Sequence, residues 1–300
     1  MTDRRPAASS SRDAETRTVG KLLTWTTQWL AGRGSESPRL DAEVLLATVR
    51  GCSRILLYTA FDEVVPDDVR ARFRELVRRR GDGEPVAYLT GTKEFFSLAF
   101  DVSPAVLVPR PETEQLVVRA IDLLRGEGSP RIADVGTGSG AIAVSLAKHL
   151  PSAEIVAIDI SPAAIAVARA NAVKHGVADR IEFIESDLFA NVGPGRPFDL
   201  VASNPPYVRD DEFEGLPRDV RLHEPKQALV AGPTGVEVIG RLAAEAADRL
   251  SPGGWLLVEI GPPEASEAAV RSTAGLKGEP TLPDLAGIPR VLQACRDDRP

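Results

Sequence analysis

A mostly parallel α/β sheet covered by helices is predicted for residues 109–300 of this 300-residue chain, with a small helical domain before it. Three observations predict it. Short apolar runs alternate with amphipathic stretches from Arg131 onward. A glycine-rich turn, Asp134-Val135-Gly136-Thr137-Gly138-Ser139-Gly140, follows the first of those runs. Apolar residues at helical spacing dominate residues 18–80 instead.

In chain order, residues 1–17 are polar and of mixed charge, without the apolar stretch of a signal peptide, and are expected to form a disordered tail. Within 18–84, Val19, Leu22, Leu23, Trp25, Trp29 and Leu30 fall near helical spacing before a break at Gly32 to Pro38. Ser37-Pro38 opens a second helical pattern, Leu40 to Val49, because proline is tolerated where a helix starts. Asp67 to Arg80 reads as another helix, closed by Gly81-Asp82-Gly83. Residues 85–108 change character. Tyr88-Leu89-Thr90, Glu94 to Phe96 and Leu98 to Val102 are rich in aromatic and β-branched side chains, so a β-hairpin linking two domains is expected. Pro109 to Glu114 breaks the strand and opens a helix from Gln115 to Leu124.

Strands are then expected at Arg131 to Val135, Glu154 to Asp159, Ile181 to Ile184, Phe198 to Ser203 and Trp255 to Ile260. Helices are expected between them at Ala141 to Leu150, Ala163 to Lys174 and Val236 to Leu250. Such strands, apolar throughout, are buried on both faces, which makes the architecture Rossmann-like.

Composition narrows the function. Hydrophobic residues at 43% and charged residues at 26% suit a soluble globular protein. No stretch reaches the roughly 20 apolar residues that span a bilayer, so no membrane partner is expected. Cys52 and Cys295 lie far apart, and His149, His175 and His223 are not at metal-ligand spacing, so metal-free chemistry in the cytoplasm is expected. Residues 1–95 hold 16 Lys/Arg against 14 Asp/Glu, leaving 20 against 29 for the remainder. An acidic catalytic half argues against direct nucleic-acid binding, which relies on neutralising phosphates. The arginine run between Arg70 and Arg80 reads as a solvated helix face.

Three groups of residues carry the chemistry. Gly136, Thr137, Gly138, Ser139 and Gly140 lie where a strand feeds a helix, and glycine lets backbone pass close to a ligand. Gly136, Gly138 and Ala141 also satisfy a dinucleotide fingerprint, so this turn alone does not choose a cofactor. Asp159, at the next strand end, suits the hydroxyls of a nucleoside ribose; it could instead cap the following helix, a role Ser161 could also fill. Asp187 and Leu188, after the third strand, lie where the base would rest.

The third group decides: Asn204-Pro205-Pro206-Tyr207, at a strand's C-terminal end. The prolines stiffen the backbone and lack N–H groups, leaving carbonyls to face a substrate. Asn204 adds an acceptor oxygen and Tyr207 an aromatic face. A planar NH₂ group needs two acceptors and a surface to stack on, whereas hydride transfer has no use for such a motif. A site that holds a planar amide or amine nitrogen is therefore expected, and a nicotinamide cofactor falls well behind. No histidine or glutamate stands beside Asn204 in the sequence, and no strong base is expected, since an alkylated amide loses its proton readily.

The assembly resembles the Asn-Pro-Pro-Tyr branch of class I methyltransferases, and within it the HemK/PrmC-type release-factor glutamine methyltransferases. Ser37 to Glu43, Pro85 to Gly91, Val108 to Glu114, Glu224-Pro225 with Ala228-Leu229, Gly253 to Gly261, and Asp284 to Gly287 with Arg290 carry the resemblance. It covers nearly the whole chain after the tail. One departure is Pro262-Pro263-Glu264, where many relatives carry a glutamine.

The resemblance implies a methyltransferase acting on an amide or amine nitrogen with S-adenosyl-L-methionine as donor; Gly136 to Gly140 and Asp159 hold that cofactor and Leu188 borders the adenine, where position alone also puts Asp187. It further implies that Asn204, Pro205, Pro206 and Tyr207 hold a glutamine of a peptide chain release factor, Asn204 also facing the cofactor. Asn204 Oδ1 and the Pro205 carbonyl would accept the two amide hydrogens, with Tyr207 against the amide plane, for an in-line methyl transfer. The helical domain is expected to dock the protein substrate. The rivals are a ribosomal-protein glutamine methyltransferase, a DNA or RNA amino-group methyltransferase needing base flipping, and a cofactor-binding module without turnover.

Overall fold

The structure is a computed structural model that describes residues 17–261, 263–284 and 286–297. The expected tail lies outside these residues except for Arg17, as do Pro262 and Leu285. The chain divides into two compact units between Thr90 and Gly91. Among the described residues, no helix is long and apolar enough to cross a membrane.

The first unit is helical: α1 (Val19–Ala31), α2 (Pro38–Arg50), α3 (Arg54–Thr59), α4 (Asp67–Gly81) and α5 (Val86–Thr90). Its core gathers Val19, Leu23, Leu45, Leu46, Leu57, Phe73 and Val77. Thr18 caps α1 by accepting from the Lys21 amide, and Gly51 ends α2 at φ 64°, a left-handed conformation that glycine adopts without strain. The approach of α4 to α1 requires Gly81, where a Cβ would lie 2.3 Å from the Trp29 ring. The motif around Ser37 serves the fold. Asp41 accepts from Ser35 Oγ (2.7 Å), Ser37 Oγ (3.1 Å) and Arg80 Nε (2.8 Å). Glu43 accepts from Arg39 Nε (2.6 Å) and Tyr58 Oη (2.5 Å).

Tyr88-Leu89-Thr90, expected to be extended, is instead helical. The Pro85 carbonyl accepts from both Tyr88 N (3.0 Å) and Leu89 N (3.1 Å), closing a turn that overrides the β preference of these side chains. The hairpin follows as β1 (Thr92–Phe95) and β2 (Leu98–Asp101), and its Phe95 and Phe100 are buried in the core of the second unit.

That unit continues with a 3₁₀ turn (Pro111–Thr113), α6 (Glu114–Leu124), β3 (Arg131–Val135), α7 (Ala141–His149), β4 (Glu154–Asp159), α8 (Pro162–Lys174), β5 (Ile181–Glu185) and β6 (Phe198–Ser203). Beyond these lie β7 (Val208–Arg209), α9 (Arg218–His223), β8 (Val230–Gly232), α10 (Glu237–Arg249), β9 (Leu250–Glu259), α11 (Pro263–Arg271), β10 (Leu276–Pro283) and β11 (Pro289–Arg296). A seven-stranded sheet has the order β10-β11-β9-β6-β3-β4-β5, in which β11 alone runs antiparallel to its neighbours. Alternation along the strands divides the core. Ile132, Leu200 and Leu257 face one side with α6 and α7, while Ala133, Val201, Leu256 and Val258 face the other with α10. The chain steps outward through β4 and β5, then returns to lay β6 on the far side of β3. This switch point opens a crevice beyond the carboxyl ends of β3 and β6.

Candidate active site

The glycine turn leaves β3 and is tied to the end of β4. Gly136 N and Thr137 N donate to the Ile158 carbonyl at 2.8 and 2.9 Å, and Gly138 N donates to Asp159 Oδ2 at 2.9 Å. Gly136, Gly138 and Gly140 all have positive φ. Gly140 is also needed for space, since a Cβ there would lie 3.2 Å from Ala168 of α8. Buried Asn171 braces the turn from α8: its Nδ2 donates to the carbonyls of Ser139 (2.8 Å) and Asp101 (2.9 Å), and its Oδ1 accepts from Asp101 N (2.7 Å).

Two acids sit at this turn. Asp134 is fully buried; Thr137 Oγ1 (2.6 Å) and Ala143 N (3.0 Å) donate to its Oδ2, while Oδ1 has no partner. Burial pushes its carboxyl up to about 7. Asp159 is half-buried, and burial raises its pKa despite donation from the Ser161 and Gly138 amides. Ser161, not Asp159, caps α8, accepting from Ala164 N at 3.2 Å. The ribose reading of Asp159 therefore does not compete with a capping role.

A cavity of about 350 Å³ opens over this turn. Gly136, Thr137, Gly138, Ser139, Asp159, Asp187, Leu188, Asn204, Pro205 and Pro206 all line it, so nearly every site residue expected from the sequence meets in one place. Leu188 is buried and holds φ 47°, which turns the chain over the cavity. The Asp187 side chain is exposed and bound at 2.8 Å to Arg241 Nη2, another lining residue.

Tyr207 departs from the expected arrangement. It does not line the cavity; its ring stands over Gly261, where a Cβ would lie 2.7 Å from the ring. Burial, with Glu259 nearby, pushes its phenol up.

The view that no glutamate neighbours Asn204 is corrected. Val258 pairs with Ser203 in the parallel β6–β9 register, which carries Glu259 to the level of Asn204 at the strand ends. Asn204 Nδ2 donates to Thr113 Oγ1 (3.1 Å), and Thr113 Oγ1 donates to Glu259 Oε2 (2.5 Å). Thr113 and Glu259 are buried, and burial pushes the Glu259 carboxyl up to about 6. Thr113 and Arg110 line the cavity as well. Arg110 Nη2 donates to buried Glu224 Oε1 at 2.6 Å, which joins the Pro109–Glu114 segment to the Glu224-Pro225 turn across the cavity mouth. Sequence reasoning had placed Thr113, Glu224 and Glu259 only inside motifs, without a role. For Glu259 the available signal was a carboxylate closing the apolar run Trp255 to Val258.

Residues 21–91 match the family model described as the PrmC N-terminal domain, and residues 114–220 match the methyltransferase small domain. The chain is 48% identical to the release factor glutamine methyltransferase of Rhodopirellula baltica, over 92% of this chain and 95% of that one. It is 42% identical to the protein of the same name from Geobacter sulfurreducens, over 92% and 95% of the two chains. Among solved structures, a 16S rRNA methyltransferase from Thermus thermophilus with AdoMet and guanosine bound superposes with TM-score 0.50 at 17% identity, covering 69% of this chain and 49% of that one. A methyltransferase from Pyrococcus furiosus gives 0.50 at 19% identity, covering 74% and 98%. At such identities these two share the fold.

Proposed function

The chain belongs to the release factor glutamine methyltransferase family, and we propose that it methylates the side-chain nitrogen (N5) of the glutamine in the Gly-Gly-Gln motif of peptide chain release factors. The observation that carries the reading is that the glycine turn after β3 and Asn204-Pro205-Pro206 after β6 line one cavity.

S-adenosyl-L-methionine supplies an electrophilic methyl group on its sulfonium. The residues present fit it. The positive-φ glycines leave backbone without Cβ atoms along one wall. Asp159 takes backbone amides on both carboxylate oxygens, from Ser161 and Gly138 with Ile160 beside them, and its remaining lone pairs serve ribose hydroxyls. Leu188 and Ile160 offer apolar surface for the base. Asp187, held by Arg241, has a weaker claim on the base than Leu188.

An amide nitrogen is a poor nucleophile because its lone pair is delocalised into the carbonyl. Asn204 Oδ1 and the Pro205 carbonyl would accept the two amide hydrogens and aim the nitrogen along the transfer axis. Orientation of this kind removes several kcal/mol of barrier. Tyr207 would stack on the amide only if its ring swung from Gly261, so we assign it to buttressing the motif in this state.

The helical unit is assigned to docking the release factor: Ile55, Leu56, Tyr58 and Phe61 expose apolar surface upon it. The acidic balance of residues 96–300 fits a protein substrate better than a nucleic acid. The reaction would take place in the cytoplasm, where its substrate works. The test is transfer of labelled methyl from S-adenosylmethionine to purified release factor, beside a factor whose Gly-Gly-Gln glutamine is alanine. Label on the first alone supports the reading; equal label on both, or label only on ribosomal protein or nucleic acid, overturns it.

A further inference from the structure

We infer that Glu259 is a positioning residue for methyl transfer: together with the Thr113 hydroxyl it holds the Asn204 carboxamide with its nitrogen tied back and its oxygen free for the substrate. The inference rests on the function proposed above and gives Thr113 and Glu259 a part in it.

The argument is one of hydrogen-bond direction. An ionised carboxylate only accepts, and a threonine hydroxyl has a single proton to give. Facing Glu259 Oε2 at 2.5 Å, Thr113 Oγ1 spends that proton there. Its lone pairs are what remain for Asn204, whose side chain therefore presents Nδ2, at 3.1 Å. A flipped Asn204 would set Oδ1 against those lone pairs and turn an NH₂ toward the cavity, where the substrate also brings an NH₂. The carboxylate thus selects one of two amide orientations that differ little in shape.

Burial makes the selection effective. Thr113 is 4% exposed and Glu259 2%, so water does not compete for either. Asn204 and Thr113 line the cavity while Glu259 does not, so the carboxylate acts through these two neighbours, bonding the Asn204 side chain as well as the Thr113 hydroxyl. The three residues come from the end of β6, the 3₁₀ turn and the end of β9. The relay therefore forms only when all three segments are folded together.

The test is a double-mutant cycle of Thr113→Val and Glu259→Leu, with Thr113→Ser as the conservative control. Each single variant is expected to lower kcat on release factor about 10- to 100-fold, the scale of a misaimed reacting group. KM for the factor and Kd for S-adenosylhomocysteine should stay within about twofold, Thr113→Ser should recover most of kcat, and the double variant should be no slower than either single. Wild-type kcat in Thr113→Val, losses that multiply in the double variant, or an equal loss of cofactor affinity would overturn the relay. Nitrogen-15 NMR of the Asn204 side chain reads the same point without substrate. In wild type its two amide protons should be distinct and slow to exchange, and in Thr113→Val they should broaden or shift toward exposed asparagine. Unchanged signals refute the relay. A wild-type enzyme with the protected signals and no label on release factor would refute the assigned substrate alone.

Discussion

In the helical unit, buried Asp41 and Glu43 each meet a guanidinium, from Arg80 at 2.8 Å and Arg39 at 2.6 Å. In the second unit, Asp134 and Glu259 are buried as deeply, yet their direct donors are neutral: a hydroxyl and a backbone amide for one, a hydroxyl and the Asn204 carboxamide for the other. Paired burial balances lost hydration with a nearby opposite charge and holds helices together. Burial with neutral donors leaves the carboxyl perturbed, and here both such acids stand behind the walls of the cavity. Arg110 and Glu224 are the intermediate case: the acid is paired with a guanidinium that lines the cavity, yet burial still pushes its carboxyl up.

The largest effect that would break this comparison is expected from Arg80→Ala. It leaves Asp41 buried without its cation and should cost the helical unit about 3–5 kcal/mol in urea unfolding. A loss below about 1 kcal/mol would mean the pair is ornamental. Next comes Asn204→Ala, expected to slow methyl transfer about 100- to 1,000-fold, about 3–4 kcal/mol of barrier, while calorimetry finds S-adenosylhomocysteine still bound. Full turnover would remove Asn204 from the site.

The third concerns pH. Asp134 and Glu259 have folded pKa values of about 7 and about 6, raised from 3.8 and 4.5. Raised carboxyls bind more protons folded than unfolded, so their contribution is fully present below pH 4 and is lost as pH climbs through 6 to 7. The slope is at most about 1.4 kcal/mol per pH unit for each group. Asp134→Asn should flatten that slope in cofactor-free protein, and an identical slope in the variant would contradict the assignment. The smallest effect is expected from Arg241→Ala at the exposed Asp187 pair, under about 0.5 kcal/mol of stability. A larger loss would show that this rim contact is more than a surface ion pair.

Much of the fold was legible because it is written locally. The strands before Asn204 are apolar runs with turns at their ends, and the glycines and Asp159 sit at those ends. Of the last two strands, β10 hides its period behind Gly278, Pro280 and Pro283, while β11 offers only the short run Val291 to Cys295 with Gln293 in its middle. Tyr88 to Thr90 misled because side-chain preference points to a strand while Pro85 closes a helical turn. Within the site, the residues touching the cavity could be read from motifs. Glu259 could not be tied to Asn204, because 55 residues separate them and only the pairing of β6 with β9 brings them level.

That pairing has a consequence for how the enzyme tolerates change. Along β9, Leu257 faces the same layer as the strand-end carboxylate, while Leu256 and Val258 face the opposite one. Removing any one residue between Trp255 and Val258 would cost the core an apolar side chain and invert the in-out alternation beyond the gap. It would also swing Glu259 through the sheet to the wrong side and shift Gly261 from beneath the Tyr207 ring. Chemistry at this site is thus stored as a reading frame of the sheet, in which a frameshift of one residue silences two contacts at once.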